Sequence, residues 1–69
     1  MPFVSIRILN GHSQERKDKI SARVTEAISE VAELPKEAIW VVFEEITADD
    51  WYVGAKTVTE LKKAAEAKR

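Results

Sequence analysis

The sequence predicts a mixed α/β fold of the α+β kind, organised around a strand, a long helix and a second strand. Residues 2–9 and 38–46 are rich in β-branched and apolar side chains, the composition typical of strands. Residues 14–33, between them, carry apolar side chains three and four positions apart. A strand, helix and strand at this spacing form a βαβ unit with parallel strands and a right-handed crossover.

Length and composition predict one domain, residues 1–69, that needs support from other copies. The chain has no Cys and a single His, so we expect no disulfide, no metal site and no cofactor. A domain of 69 residues buries only about 60% of its unfolded surface. Two strands alone do not make a stable sheet. We therefore predict a homo-oligomer.

Charge and hydropathy argue against large polyanionic or membrane partners. A formal net charge of −1 gives no electrostatic reason to bind nucleic acid or an anionic membrane. No apolar run approaches the roughly 20 residues that a membrane-spanning helix needs, and no signal peptide precedes the first strand. The expected location is the cytoplasm.

The first strand has two different faces and begins at Pro2. The face expected to meet the helix is apolar: Val4, Ile6 and Ile8. The other face is mixed and suits a subunit contact or a half-hydrated cavity: Phe3, Ser5, Arg7 and Leu9. Removal of Met1 would leave the secondary amine of Pro2 at the end of a sheet, where it could act as a general base. The alternative is that Met-Pro is only how the chain begins.

The helix is predicted from its ends and from its apolar stripe. Ser13 is a suitable N-cap, and Pro35 disfavours helical backbone at the residue before it. Glu15 and Lys19 form an i,i+4 pair. The residues expected to face the sheet are Ile20, Val24, Ala27, Ile28, Val31 and Ala32. The charged positions are interpreted as a solvated face: Arg16, Lys17, Arg23, Glu26 and Glu30.

The last third of the chain predicts a turn, a short hairpin and a helix. Residues 47–50 form the turn, and Gly54 ends the short apolar segment 51–53. Thr57 and Glu60 make a capping box that opens a helix over residues 58–67. Its expected inner contacts are Leu61 and either Ala64 or Ala65. A basic tail should complement the end of this helix: Lys62, Lys63, Lys68 and Arg69.

The order of short motifs resembles the 4-oxalocrotonate tautomerase family. The matching features are Pro2 opening a strand, Asn-Gly-His-Ser at 10–13, Pro35, Glu45 late in the second strand, and residues 51–56. The resemblance implies a tautomerase-like βαβ protomer that dimerises into a four-stranded sheet and assembles as a homohexamer, a trimer of dimers. It also implies Pro2 as the catalytic amine, acting at a subunit interface.

Two departures from the family pattern bear on the substrate. Family members that act on dicarboxylates carry arginines at the positions of His12 and Trp40, whereas the aromatic position of Trp51 is kept. An arginine fork binds a carboxylate bidentately, but His12 offers a single, pH-dependent contact and Trp40 one N–H. His12, Trp40 and Trp51 are the candidate substrate-binding residues, and 4-oxalocrotonate is expected to be a poor substrate. Alternatively, both tryptophans are core or interface residues and His12 caps the helix or lies in solvent.

The implied function is that of a small keto–enol tautomerase. Pro2 would act as general acid and base on an enol or 2-keto acid. Two alternatives stay open: a related Pro-dependent dehalogenase or hydratase, and a catalytically idle oligomeric scaffold or binding module.

Overall fold

The computed structural model describes residues 1–67. The elements follow in the order β1 (Phe3–Leu9), α1 (Gln14–Ala32), β2 (Trp40–Ile46), β3 (Tyr52–Val53), β4 (Lys56–Thr57) and α2 (Val58–Ala67), with 3-10 turns at Lys36–Ala38 and Ala48–Asp50. The predicted βαβ unit, hairpin and C-terminal helix are all confirmed. Within residues 1–67, no helix has the length and apolar character that crossing a membrane requires.

The strands β1 and β2 pair in parallel, as predicted. Their register runs from Phe3 opposite Trp40 to Leu9 opposite Ile46. Half-buried side chains alternate with exposed ones along β1: Val4, Ile6 and Ile8 are half-buried. The alternation follows from the two-residue period of side chains in a strand.

Local capping signals fix both ends of α1. The Ser13 hydroxyl accepts the backbone N–H of Arg16 at 3.1 Å, which satisfies an otherwise unpaired donor of the first turn. The helix ends at Ala32, one residue before the predicted end, because Glu33 takes left-handed backbone with a φ of 56°. Pro35 follows two residues later and prevents continuation.

Only three of the six residues predicted for the apolar stripe of α1 are half-buried. Ile20, Val24 and Ile28 are half-buried, but the exposed positions Ala27, Val31 and Ala32 correct the prediction. The 19 residues of α1 span about 28 Å, whereas the seven residues of β1 span about 23 Å. The helix is therefore longer than the sheet beneath it, and a sheet of two strands is too narrow to cover a wide stripe.

An ion pair joins α1 to the end of the sheet at which β2 finishes. The Lys17 ammonium lies 3.1 Å from Glu45 Oε1, and the Lys17 side chain is only 18% exposed. Lys17 therefore faces the sheet rather than solvent, which corrects its placement on the solvated face of α1.

The hairpin and α2 pack loosely against the rest of the chain. Gly54 and Ala55 both have positive φ, 56° and 71°, the backbone of a type I′ turn. The predicted capping box is present, since the Glu60 N–H donates to Thr57 Oγ1 at 3.1 Å. The predicted inner contacts of α2 are wrong within the protomer: Leu61 is 40% exposed, and Ala64 and Ala65 are exposed. Lys68 and Arg69 of the expected basic tail lie outside the described residues.

The single chain does not enclose a hydrophobic core. Within residues 1–67, Ile39 is the only buried hydrophobic residue. The accessible surface is 5606 Å², against about 4,400 Å² for a compact monomer of 7.8 kDa. The radius of gyration is 16.0 Å, against about 11 Å for a compact domain of this length. The outer face of the sheet is open, with Phe3 63%, Trp40 54% and Val42 42% exposed.

We predict that this chain is folded only as an oligomer. Sedimentation at micromolar concentration should detect no folded monomer, because the open sheet face must be covered. Val42→Lys should dissociate and unfold the assembly, since it places a charge at the centre of that face. The matched control is Val31→Lys, at a position that is 84% exposed on α1, and it should assemble as the parent does. A stable, folded monomer of the parent chain would contradict this prediction.

Candidate active site

The backbone fixes the position of Pro2. The Pro2 carbonyl accepts the backbone N–H of Trp40 at 3.0 Å, so the start of β1 is tied to the start of β2. Pro2 itself is half-buried, while Met1 projects from the sheet and is 85% exposed. The Pro2 nitrogen therefore lies at a defined point at one end of the sheet, with Met1 outside it.

Two aromatic rings flank this end of the sheet. The centroids of the Phe3 and Trp40 rings are 6.4 Å apart, with 34° between the ring planes, a separation typical of interacting aromatic pairs. The two residues face each other across the strand pair. Pro2 is thus next to an apolar surface that remains open in the single chain.

His12 lies at the other end of the sheet. It follows Gly11, whose φ of 106° is backbone that few other residues adopt. Because β1 has seven residues between these two ends, the imidazole is about 20 Å from Pro2 along the strand. The half-buried His12 side chain lines a cleft of about 330 Å³ together with Arg16, Lys19, Ile20 and Arg23; we call this the basic cleft.

Trp51 comes after the end of β2 and is also half-buried. Its carbonyl accepts the Val58 N–H at 2.8 Å, which joins the hairpin to the start of α2. Pro2 and Trp40 therefore stand at the start of the two parallel strands, whereas His12 and Trp51 follow the ends of those strands. A single site containing all four requires at least two chains.

The sequence interpretation did not assign a role to the cations of the basic cleft. Arg16 and Arg23 are exposed, as predicted for a solvated face, and within α1 the residues Arg16, Lys19 and Arg23 recur at spacings of three and four. That spacing puts side chains on one side of a helix, so the signal was present in the sequence. Within residues 1–67, no group of three or more potential ligands could hold a metal ion.

Comparison with known proteins identifies the family. The model of the tautomerase enzyme family matches residues 2–61. A probable tautomerase of Bacillus cereus is 35% identical over 60 residues, which cover 87% of this chain and 98% of the relative. This chain therefore belongs to the tautomerase family, as its motifs indicated.

Solved structures agree on the fold. TomN, a 4-oxalocrotonate tautomerase homologue of the tomaymycin biosynthetic pathway, superposes with a TM-score of 0.88 at 29% identity, covering 90% of this chain and 95% of TomN. A heterohexameric 4-oxalocrotonate tautomerase from Chloroflexus aurantiacus superposes with a TM-score of 0.84 at 24% identity, covering 88% and 98%. The second likeness bears on the fold alone.

We predict that the two groups of candidate residues act from different subunits. Two forms should each be inactive on an enol substrate. One has a blocked Pro2 nitrogen, and the other is the double variant His12→Ala with Trp51→Ala. Refolding the two together should restore part of the activity, because some interfaces then combine an intact Pro2 with intact His12 and Trp51. The control is each form refolded alone. A mixture as inactive as its components would contradict a shared site.

Proposed function

We propose that this protein is a keto–enol tautomerase in which the Pro2 amine, freed by removal of Met1, is the general acid and base. The substrate class is an enol or 2-keto acid. The observation that carries the proposal is the hydrogen bond of 3.0 Å from the Trp40 N–H to the Pro2 carbonyl. It holds Pro2, and with it the nitrogen, at the end of the sheet in a chain that belongs to the tautomerase family.

The proposed reaction moves one proton within a conjugated system. The neutral Pro2 nitrogen takes the proton of the enol hydroxyl, and the oxygen electrons form the carbonyl while the double bond shifts. The resulting ammonium then returns the proton to the carbon that has gained electron density. No other reactant is consumed, so the amine leaves the cycle unchanged. A positioned base of this kind contributes a factor of about 10²–10⁴ in rate.

The surroundings of Pro2 favour its neutral form. Apolar rings solvate an ammonium poorly, so Phe3 and Trp40 would hold the pKa of the amine below that of free proline. Both rings are more than half exposed in the single chain, so this effect needs the cover of a second subunit. N–H donors would stabilise the developing enolate. The candidate donors are the Trp40 indole, His12 and the backbone.

The proposed assembly is a cytoplasmic homohexamer, a trimer of dimers. The open sheet face of Phe3, Trp40 and Val42 supports assembly in general. The hexameric state follows the family resemblance, and a related fold occurs in the heterohexamer from Chloroflexus aurantiacus.

We predict that activity requires a free Pro2 nitrogen. A form that retains Met1 should lose at least a factor of about 10² in kcat/KM, because an amide nitrogen cannot accept the proton. Pro2→Ala keeps an amine at the same backbone position and is the matched control, with part of the activity surviving. Intact-mass measurement establishes which form is assayed.

The pH profile gives a second check on the same amine. Because the neutral amine is the base, kcat/KM should rise with pH as the ammonium loses its proton and level off above its pKa. We expect that midpoint below the pKa of free proline, since the apolar surroundings disfavour the cation.

If the blocked protein tautomerises enols as fast as the processed one, the idle scaffold becomes the better description.

We predict a preference for monocarboxylates over dicarboxylates. The position beside Pro2 holds Trp40, which offers one N–H where a carboxylate would need a charged fork. An aryl or alkyl enolpyruvate should therefore have a higher kcat/KM than 2-hydroxymuconate. Trp40→Arg should shift that ratio towards the dicarboxylate by about tenfold, with Trp40→Phe as the uncharged control. A parent protein that prefers 2-hydroxymuconate would refute this ranking.

A further inference from the structure

The basic cleft concentrates positive charge in a chain of net charge −1. Arg16, Lys19 and Arg23 fall within an arc of about 60° on α1, because each residue of a helix advances the direction by about 100°. His12, four residues before Arg16, also lines the cleft. These side chains, of which the three cations are exposed, line one open concavity of about 330 Å³, a volume at the lower end of the range for small-molecule sites.

The two arginines of the cleft have no acidic partner in the described chain. Among residues 1–67, no carboxylate oxygen lies within 4.0 Å of Arg16 or Arg23, whereas Lys19 is 3.4 Å from Glu15. Arg7, on the outer sheet face, is likewise paired, with Glu44 at 3.4 Å. The positive charge available for a ligand is therefore located on Arg16 and Arg23.

The chemistry of the cleft fits an organic acid. The guanidinium groups present planar forks that match a carboxylate, and the half-buried Ile20 supplies an apolar wall between them. Arg16 and Arg23 are seven residues apart, about 10.5 Å along the helix axis. Both can therefore reach a small ligand lying against Ile20, one from each side.

We propose that the basic cleft binds the carboxylate of a small organic acid, with Arg16 and Arg23 as its principal binding residues. The proposal rests on the proposed function, because the organic acid is taken to be the 2-keto acid substrate. It deepens that function by assigning the charged end of the substrate to the His12 end of one subunit. The apolar end of the substrate would then lie beside the exposed Phe3 and Trp40 rings of another subunit.

Binding of an unreactive acid tests the proposal without reference to catalysis. The probe is cinnamate, with neutral cinnamamide as its matched comparison, titrated into the assembled protein by calorimetry. Arg16→Gln combined with Arg23→Gln should weaken cinnamate binding by about tenfold or more and leave cinnamamide unchanged. The control pair, Lys62→Gln with Lys63→Gln, removes the same charge from α2 and should bind cinnamate as the parent does.

Two further measurements fix the interpretation. Arg23→Lys keeps the charge without the fork, so it should weaken cinnamate binding less than Arg23→Gln does. It also serves if the double variant fails to assemble. Inorganic phosphate should compete only weakly, and phosphate that binds as tightly as cinnamate would make the cleft a phosphate site and overturn the proposal. Unchanged cinnamate binding by the assembled double variant would overturn it as well.

The outcomes separate this inference from the proposed function. If cinnamate binding depends on both arginines but no processed form tautomerises an enol, the cleft is a carboxylate site and the proposed activity fails. If the processed protein is an active tautomerase and the double variant binds cinnamate normally, the activity stands and the inference fails. When both hold, the double variant should raise KM for an enolpyruvate far more than for its neutral ester.

Discussion

The open outer face of the two-stranded sheet is the constraint on which the rest of the molecule depends. Phe3, Trp40 and Val42 expose large apolar side chains there, and full burial of each would contribute about 1.5–3 kcal/mol. A small domain has a total stability of only about 5–15 kcal/mol. We therefore expect the covering of this face to decide whether the chain is folded. Pro2 is hydrogen-bonded to Trp40 at the end of the same face. The surface expected to be covered on assembly is therefore also the surface beside the candidate site.

Features that depend on a few neighbouring residues could be predicted from the sequence. The Ser13 cap, the Thr57–Glu60 capping box and the turn at Gly54 each involve backbone groups within three or four positions. Pro35 acts on the residue directly before it. Such interactions form in the same way whatever the rest of the chain does, so the order and bounds of the elements followed closely from local patterns.

Burial was harder to predict because it depends on what lies opposite each residue. Val24 and Val31 both belong to the apolar stripe of α1, but only Val24 has the narrow sheet beneath it. Leu61 was assigned an inner contact that its own protomer does not provide. Hydrophobic periodicity indicates which side of a helix is apolar, and it cannot tell whether the same chain or another copy covers that side.

The candidate site shows the same contrast between features set by neighbouring residues and features set by distant ones. The charge at one of its ends also bears on the chemistry. The strand register places Trp40 beside Pro2. Arg16 and Arg23 are exposed as predicted, but the sequence did not indicate that they line a common cleft. If the basic cleft of one subunit lies near the Pro2 amine of another, its positive charge would further disfavour protonation of that amine. A bound carboxylate would offset this charge and stabilise the ammonium that forms during proton transfer. The anion would then be both the group recognised and a part of the electrostatics that allow the amine to act first as a base and then as an acid.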